Sequence, residues 1–354
     1  MTTPAISVVM SVYNGETYLS EAVESILNQT FRDFEFIIID DGSTDTTAEI
    51  LSAYASRDSR IRVHAQANKG RTPSLNIGIG LARAKYIARM DADDVALPDR
   101  LQLQFDFLEQ HPEVGLLGGA VELIDHSGRV FDSVRPAVSD SEIRSIMLTG
   151  NPMWHPTVLM RKEIVLAVDG YRATFDESED YDLFLRMGER SQIANLDKVV
   201  LRYRIHANQV SVRGGKHQVE CVLAAAAATK IRKYSGSDPL SEVDRITPKL
   251  LRRLGVTTEQ VRGALLAHYM HWICLLQRID TQAALGCTLQ LACDRYVKRG
   301  DRADAFLAVA SSHYRKGRTA KALVFAGRAV LLKPALAKHL AKKGFSRLAT
   351  SAKM

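Results

Sequence analysis

The stretch KYIARMDADDVALPDR, residues 85–100, indicates most directly how this chain folds. A mostly apolar run at residues 86–90 ends in three carboxylates, Asp91, Asp93 and Asp94, and a proline shortly afterwards allows a helix to begin. A short apolar run of this kind predicts a buried strand whose carboxyl end opens into a crevice, which is where open α/β sheets bind ligands. The three carboxylates are therefore predicted to belong to a binding site.

Carboxylates in this arrangement suit a hard divalent cation. Mg²⁺ and Mn²⁺ take oxygen ligands, and in phosphate chemistry one or two carboxylates usually hold them while the substrate's phosphates complete the shell. Asp91 and Asp93 form an Asp-X-Asp pattern, which is a weak indication when it stands alone. A solvated acidic loop is the alternative interpretation, and the rest of the sequence has to decide between the two.

The composition is that of an ordinary globular protein, with 354 residues of which 46% are apolar and 25% charged. This length predicts two domains, or one large domain with an appendage. No apolar run approaches the roughly 20 residues that a membrane-spanning helix needs. No charged leader precedes the apolar run at residues 6–10, so we expect no signal peptide and a cytoplasmic protein.

The net charge of +7 is unevenly distributed along the chain. From Arg295 onward there are 15 lysines and arginines against only two acidic residues, Asp301 and Asp304. Residues 1–294 carry 32 basic and 38 acidic side chains and are therefore slightly acidic. The high isoelectric point thus belongs to the C-terminal segment alone, which makes that segment a candidate for contact with an anionic partner.

Segments with strand and helix patterns alternate through the first hundred residues. The predicted strands cover residues 6–12, 34–39, 61–65 and 86–90, and the helices between them cover residues 16–29, 46–56 and 72–84. This alternation predicts βαβ units and a mainly parallel sheet. Ser43 or Thr44 is expected to cap the second helix.

The second predicted strand also ends in acids, Asp40 and Asp41. Because the carboxyl ends of parallel strands lie at the same edge of a sheet, these residues and the cluster at residues 91–94 should border one crevice. The alternative role of residues 40–43 is a turn followed by a helix cap, and one segment can serve both uses.

Several common classes of site are excluded by the motifs that the sequence lacks. The first strand is not followed by G-X-G-X-X-G, and no G-X-X-X-X-G-K-S/T occurs, which argues against a dinucleotide enzyme and a P-loop NTPase. The cysteines show no Cys-X-X-Cys spacing, so we expect buried thiols in helices rather than a zinc site or disulfides. They are Cys221, Cys274, Cys287 and Cys293.

The middle of the chain adds further elements. Residues 113–125 and 128–134 are predicted to form a pair of strands, and residues 157–160 another strand. His155, just before that strand, is interpreted as a hydrogen-bonded structural histidine. Residues 177–188 are predicted to form a helix with acids in its first turn.

Three separated motifs resemble the family-2 glycosyltransferases, which have the GT-A fold. They are SVVMSVYNGETYLSEAVESILNQTFRDFEFIIIDDGSTD at residues 7–45, NKGRTPSLNIGIGLARAKYIARMDADDVALPDRL at residues 68–101 and ESEDYDLFLRMGE at residues 177–189. They occur in the order of the family and cover roughly residues 6–211, which is far more specific than any one motif. The resemblance implies transfer of a sugar from a nucleotide diphosphate-sugar to an acceptor hydroxyl, with inversion and with Mg²⁺ or Mn²⁺.

The resemblance also implies which residues bind the donor. Tyr13, Asn14, Asp40 and Asp41 match positions that lie against the nucleoside. Asp91 would lie near the ribose or a metal-bound water. Between the third strand and its helix, two basic side chains could meet the diphosphate, with a solvated loop as the alternative. They are Lys69 and Arg71.

The same resemblance assigns the chemistry. Asp93 matches the direct metal ligand, and Asp94 is expected to cap the following turn. Asp180 matches the general base that takes the proton of the acceptor hydroxyl, with Glu179 supporting it, and a carboxylate at a helix N-terminus should stay ionised. His206 could complete the metal shell or close over the diphosphate, or be an ordinary core histidine.

The family match ends near residue 211, so the predicted domains are residues 1–213, catalytic, and residues 214–354, an all-α appendage. One helix pair near its end is similar to a tetratricopeptide unit. The segment containing Leu323, Val324, Ala326, Val330, Leu331, Leu332, Arg328, Lys333 and Lys338 is basic and amphipathic. It suits peripheral contact with the inner face of the cytoplasmic membrane, and an ordinary solvated face is the alternative. Aromatic residues are not interleaved with the basic ones, so no nucleic acid partner is expected.

Two hypotheses from different classes follow. The first is an inverting, metal-dependent transferase that builds cell-surface or extracellular polysaccharide on a saccharide or lipid-linked saccharide acceptor. The second is an inactive nucleotide-binding domain whose helical tail is an interaction scaffold. Asp91, Asp93 and Asp180 are all present where the chemistry needs them, which favours the first. A nucleotidyltransferase is disfavoured because no glycine-rich, lysine-containing loop follows the first strand.

Overall fold

The computed structural model describes residues 3–206, Gln209 and residues 215–337. The chain divides into two compact units. The sheet unit comprises the described residues of Met1–Ile205 and Cys221–Leu250, and the helical unit those of His206–Glu220 and Leu251–Met354. The expected domain boundary at residues 213 and 214 falls outside the described residues and stays a prediction.

The first half of the sheet consists of four parallel strands in the spatial order β3-β2-β1-β4. They are β1 (Ile6–Val12), β2 (Phe34–Asp40), β3 (Ile61–Ala65) and β4 (Tyr86–Met90). Every residue of β2 and β4 is buried, as expected for strands covered on both faces. The predicted parallel arrangement is confirmed here, and it places the residues that follow β1, β2 and β4 at one edge of the sheet.

The second half of the sheet is mixed. Its strands are β5 (Val95–Ala96), β6 (Val114–Ile124), β7 (Val130–Val134), β8 (Leu159–Arg161) and β9 (Gln192–Arg204). Strand β8 runs antiparallel to both β4 and β6, whereas β6 and β9 are parallel. The predicted pairing of residues 113–125 with 128–134 is confirmed as β6 and β7. The short β5 pairs with β9 and so ties the chain just after the acidic loop to the second half.

Seven α-helices accompany these strands within the described residues of Met1–Ile205. They are α1 (Leu19–Leu27), α2 (Thr47–Arg57), α3 (Arg71–Leu81), α4 (Arg100–Gln110), α5 (Asp140–Met147), α6 (Lys162–Ala167) and α7 (Glu179–Gly188). The first three match the predicted helices between the strands. Each of them, like α7, begins beside the edge where the strands end, so the N-termini of α3 and α7 can contribute to a site there.

The remaining described chain is mainly helical, as predicted, with a non-helical connection at residues 236–247. Its helices are α8 (Gly215–Ser235), α9 (Pro248–Arg253), α10 (Thr258–Ile279), α11 (Thr281–Cys293), α12 (Arg299–Arg315) and α13 (Thr319–Leu332). Helices α12 and α13 pack through buried alanines, and the rings of Phe306 and Phe325 stack with centroids 6.2 Å apart. No helix in the described ranges is long and apolar enough to cross a membrane.

Two expectations for the C-terminal segment need comment. Cys221 and Cys287 are buried thiols, but Cys274 and Cys293 are exposed, so that expectation was half wrong. In the amphipathic segment, Leu323, Val324 and Leu331 lie exposed on α13, whereas Ala326 is buried against α12. Lys338 lies outside the described residues.

Candidate functional site

Asp40 and Asp41, at the end of β2, are buried and hydrogen-bonded. The Asp41 carboxylate accepts hydrogen bonds from the backbone N–H groups of Lys69, at 2.9 Å, and Gly70, at 2.8 Å. Asp40 Oδ1 accepts a hydrogen bond from the Ser43 N–H at 3.0 Å. These acids therefore hold the two loops at the edge of the sheet, in addition to any contact with a ligand.

The loop after β1 joins the same edge. Asn14 adopts a left-handed backbone conformation with φ of 52°, and its Oδ1 accepts a hydrogen bond from the Thr44 N–H at 2.8 Å. The Ser43 hydroxyl accepts a hydrogen bond from the Asn14 N–H at 3.0 Å. The expected capping role of Ser43 or Thr44 was wrong, because both residues bind the β1 loop instead and α2 begins without a side-chain cap. Tyr13 beside them is 53% exposed, so its ring is open to a ligand.

The acidic loop between β4 and β5 brings three carboxylates together. One oxygen from each of Asp91, Asp93 and Asp94 lies within 4.8 Å of the others. Asp91 forms an ion pair with the buried guanidinium of Arg89. Burial and the charges of Asp93 and Asp91 raise the pKa of Asp94 well above its ordinary value. Like charges held this close repel each other, and a divalent cation relieves that repulsion with the oxygen ligands it prefers, so the residues fit Mg²⁺ or Mn²⁺.

Asp94 does not cap the following turn, so that expectation was wrong. Its side chain is buried, and Oδ1 accepts a hydrogen bond from the backbone N–H of Arg204 at 2.8 Å. Within the described residues, Oδ2 has no hydrogen-bond partner. Arg204 also donates from Nε to the Asp93 carbonyl at 2.7 Å, so the last residue of β9 fixes the acidic loop. His206, which follows β9, belongs to the helical unit, and its role at a metal stays a prediction.

The second pair of acids, Glu179 and Asp180, begins α7. Glu179 is buried and forms a two-point ion pair with Arg71, with Nε 2.7 Å from Oε1 and the Nη2 donor 3.1 Å from Oε2. Asp180 Oδ2 accepts a hydrogen bond from Asn151 Nδ2 at 3.0 Å. The Glu179 carboxylate thus binds an arginine, and its expected role in supporting Asp180 stays a prediction.

The pKa of Asp180 departs from the expectation based on the helix N-terminus. Burial and the charge of Glu179 raise it to about 6, outweighing the backbone hydrogen bond and the two arginines Arg71 and Arg89, which lower it. The carboxyl group is still mostly ionised at pH 7. It accepts a proton more readily than an ordinary aspartate does, which suits a general base.

Two arginines make contacts that the sequence motifs do not indicate. Arg71 binds Glu179 and interacts with the charges of both Asp91 and Asp180, and its expected role at a diphosphate stays a prediction. Arg89 is a site residue outside the predicted set, although an arginine inside a buried strand, two residues before an acid, is a signal that the sequence carries. The Lys69 side chain is exposed, and its backbone is what binds Asp41.

His155 is a structural histidine, as interpreted from the sequence. Its Nε2 lies 2.7 Å from the Tyr171 hydroxyl, and both side chains are buried. Burial lowers the pKa of His155 well below its ordinary value, and the nearby Arg89 and Arg71 act in the same direction. The ring is therefore neutral at pH 7.

Comparisons with known proteins support the family resemblance. Residues 7–169 match the family model described as Glycosyl transferase family 2. The O-antigen biosynthesis glycosyltransferase WbnJ of Escherichia coli is 34% identical over 220 residues, which are 61% of this chain and 85% of that protein.

Two solved structures share the fold. The structure of S. aureus TarS 1-349 in complex with UDP-GlcNAc has a TM-score of 0.55 at 18% identity and covers 95% of this chain and 92% of its own. The mannosyltransferase PcManGT from Pyrobaculum calidifontis in complex with GDP-Man and Mn²⁺ has a TM-score of 0.51 at 16% identity, covering 97% and 89%. At these identities the likeness concerns the GT-A fold alone.

Proposed function

Because the chain belongs to glycosyl transferase family 2, we propose that it moves a sugar from a nucleotide diphosphate-sugar to an acceptor hydroxyl with inversion. The observation that carries the proposal is the position of Arg71, which faces both Asp91 of the acidic loop and Asp180 of α7. This supports a donor site and a base that border the same crevice, as a one-step displacement requires.

The donor would lie along the edge formed by the loops after β1, β2 and β3. The exposed Tyr13 ring can cover the base or ribose, with Asn14 beside it, and Asp40 and Asp41 can accept hydrogen bonds from the nucleoside. Lys69 can reach a diphosphate. Nucleotide-sugars in the two structural neighbours, UDP-GlcNAc and GDP-Man, support this class of donor.

The chemistry would be a single in-line displacement. Asp93, with Asp91, would hold Mg²⁺ or Mn²⁺, which when bound neutralises charge on the departing nucleoside diphosphate. The acceptor oxygen forms a bond to the anomeric carbon while the bond to the diphosphate oxygen breaks, and Asp180 takes the hydroxyl proton. Since a carboxylate with a pKa of about 6 is a far weaker base than an alkoxide, proton transfer has to accompany bond formation.

The acceptor would be a saccharide or a lipid-linked saccharide in surface or extracellular polysaccharide synthesis, as the O-antigen role of WbnJ suggests.

Helix α13 carries the exposed apolar residues Leu323, Val324 and Leu331 beside the basic Lys321 and Arg328, a pattern that suits an anionic membrane surface. Sedimentation with anionic and with neutral vesicles tests this contact. Leu323→Glu/Leu331→Glu should abolish binding to the anionic vesicles.

Calorimetric titration of UDP, GDP, CDP and dTDP, each with and without Mn²⁺, tests the proposed donor site. We expect one diphosphate to bind in a metal-dependent way, and Asp93→Ala to abolish that binding. Asp99→Ala is the matched control, because Asp99 is an exposed carboxylate at the start of α4 that makes no capping hydrogen bond. Its binding should equal that of the wild type.

The outcomes separate the two hypotheses. Binding followed by transfer of the corresponding sugar supports the transferase. Metal-dependent binding without turnover on any acceptor favours the inactive nucleotide-binding domain with a scaffold tail. If no diphosphate binds in either condition, the family membership extends to the fold only, and the helical unit becomes the place to look for function.

A further inference from the structure

The ion pair between Arg71 and Glu179 connects two distant parts of the sheet unit. Arg71 is the first residue of α3, and Glu179 is the first residue of α7, 108 positions later. The pair has two contacts, and the Glu179 side chain is only 1% exposed. The Glu179 end of the pair is buried, whereas Arg71 is partly exposed, and the contact holds the start of α7 against the start of α3.

The turn that precedes Arg71 is fixed by Asp41, one of the residues of the proposed donor site. The two residues before Arg71, Lys69 and Gly70, donate their backbone N–H groups to the carboxylate of Asp41. Gly70 adopts φ of 90°, a conformation that favours glycine, so the turn into α3 is specific. A continuous series of contacts therefore runs from Asp41, through this turn and Arg71, to Glu179 beside Asp180.

Asp180 lies among several charged and polar side chains that affect its ionisation. Glu179, its neighbour on α7, is an acid whose charge opposes the ionisation of Asp180. The groups that face Asp180 from other elements are Arg71 on α3, Arg89 on β4, Tyr171 and Asn151. Of these, Arg71 alone contacts Glu179 directly among the described residues. Without that contact, Glu179 would be a buried, unpaired charge next to the base.

We propose that Arg71 is a positioning residue that acts through Glu179 on the base Asp180, and so couples the donor-side turn to the base. The role of Asp180 as a base rests on the proposed function. The effect of Arg71 and Glu179 on the Asp180 pKa, in contrast, can be measured without any substrate. The expected contact of Arg71 with a diphosphate stays a prediction, since the guanidinium has further N–H donors besides those that face Glu179.

The test follows the ionisation of Asp180 by ¹³C NMR of selectively labelled aspartate carboxyl groups, with the Asp180 resonance assigned by its loss in Asp180→Asn. Arg71→Met should raise the pKa of Asp180 by about one unit, a tenfold change in proton affinity, because Glu179 loses its partner and the Arg71 charge that lowers this pKa is itself removed. Glu179→Gln should lower it by a similar amount. In the double variant Arg71→Met/Glu179→Gln, the loss of Arg71 should raise the Asp180 pKa much less than it does in the wild type, because the charge through which Arg71 acts is already gone. A full return to the wild-type value would show two independent charge effects and overturn the proposal.

Two controls keep the test decisive. Arg71→Lys retains the charge and should keep the Asp180 pKa close to that of the wild type. Arg62→Met removes an arginine from another buried carboxylate, Glu35, and should leave Asp180 unchanged. An unchanged Asp180 pKa in Arg71→Met, or a raised one in Glu179→Gln, overturns the proposal.

A kinetic measurement ties the result to the reaction. In the active enzyme, the acid limb of the pH profile of kcat should move in the same direction as the NMR value for each variant, and a movement in the opposite direction overturns the positioning role. If the NMR shifts occur as expected but no sugar is transferred by the wild type, the proposed function fails and the coupling between Arg71, Glu179 and Asp180 stands.

Discussion

The two pairs of adjacent acids in the sheet unit are held in opposite ways. Asp40 and Asp41 receive hydrogen bonds mainly from backbone N–H groups of the neighbouring loops, with the Gln66 amide as a further donor to Asp41. Glu179 and Asp180 are bound mainly by the side chains of Arg71 and Asn151, although Asp180 also accepts one backbone hydrogen bond. An acid that satisfies backbone donors is part of the fold, whereas an acid held by side chains can be tuned with little effect on the backbone. The first pair should therefore couple function to stability, and the second should separate them.

The largest expected effect is the loss of turnover on changing Asp180. Asp180→Asn should lower kcat by about 10²–10⁴-fold, because the acceptor hydroxyl loses its general base. The donor KM should change little, and the free energy of unfolding should not fall, since Asn removes a charge that burial and Glu179 disfavour. Initial rates of sugar transfer and urea unfolding measure the two quantities.

Glu163→Gln is the control for this variant, because it neutralises an exposed acid in the first turn of α6. Its rate should equal that of the wild type. A rate of Asp180→Asn within a few-fold of the wild type would assign the base to another residue and break the contrast between the two pairs.

The next effect concerns stability and belongs to the donor side. Asp41→Asn should lower the free energy of unfolding by about 1–3 kcal/mol, because the amide NH₂ group cannot accept from one of the two buried N–H donors. Urea unfolding, monitored by circular dichroism, measures the change. If Asp41→Asn unfolds like the wild type but loses nucleotide binding, Asp41 is a ligand group only.

These two pairs also show which features of the site can be predicted from the sequence. The parallel strands, the acids at their ends and the acidic turn of α7 were predicted because each depends on residues close together in the chain. The partners of those acids were not predicted. Arg71 meets Glu179 across 108 positions and Arg204 meets Asp94 across 110, and no local pattern reports such a contact.

The two wrong capping expectations have the same physical origin. Serine and aspartate side chains often bind a nearby backbone N–H group, so the sequence pattern predicts that Ser43 and Asp94 cap the turns in which they lie. In the structure, Ser43 binds Asn14 and Asp94 binds Arg204, because the fold brings those donors to the same edge. Tertiary hydrogen bonds replaced the local ones at the site, where several loops converge.

The pH dependence of turnover is expected to show an effect of intermediate size, and it tests the raised pKa of Asp180. The base acts when it is ionised, so a pKa of about 6 for Asp180 predicts a rate that falls below pH 6 and is about tenfold lower at pH 5. An ordinary aspartate, with a pKa near 3.9, would give no loss at pH 5. A pH–rate profile measures the limb, and circular dichroism at pH 5 has to show that the protein stays folded. A flat profile down to pH 5 would contradict the raised pKa.

The smallest expected effect comes from Asn151, the amide that binds the base. Its Oδ1 accepts a hydrogen bond from the Met153 N–H at 3.1 Å, which directs Nδ2 toward Asp180 Oδ2. Asn151→Ala removes one donor to the ionised carboxylate and should lower kcat by roughly two- to tenfold, the value of about 0.5–1.5 kcal/mol for one hydrogen bond. The acid limb should also move up by less than about one unit, because the lost bond favoured the ionised form.

The comparison for this variant is Asn28→Ala, which truncates an exposed asparagine at the end of α1. It should change neither the rate nor the limb. If Asn151→Ala lowers kcat but leaves the acid limb in place, Asn151 contacts the acceptor rather than the base. The amide would then take part in substrate recognition. The Asp180 pKa would in that case depend on burial and on the charges of the arginines and Glu179, without a contribution from Asn151.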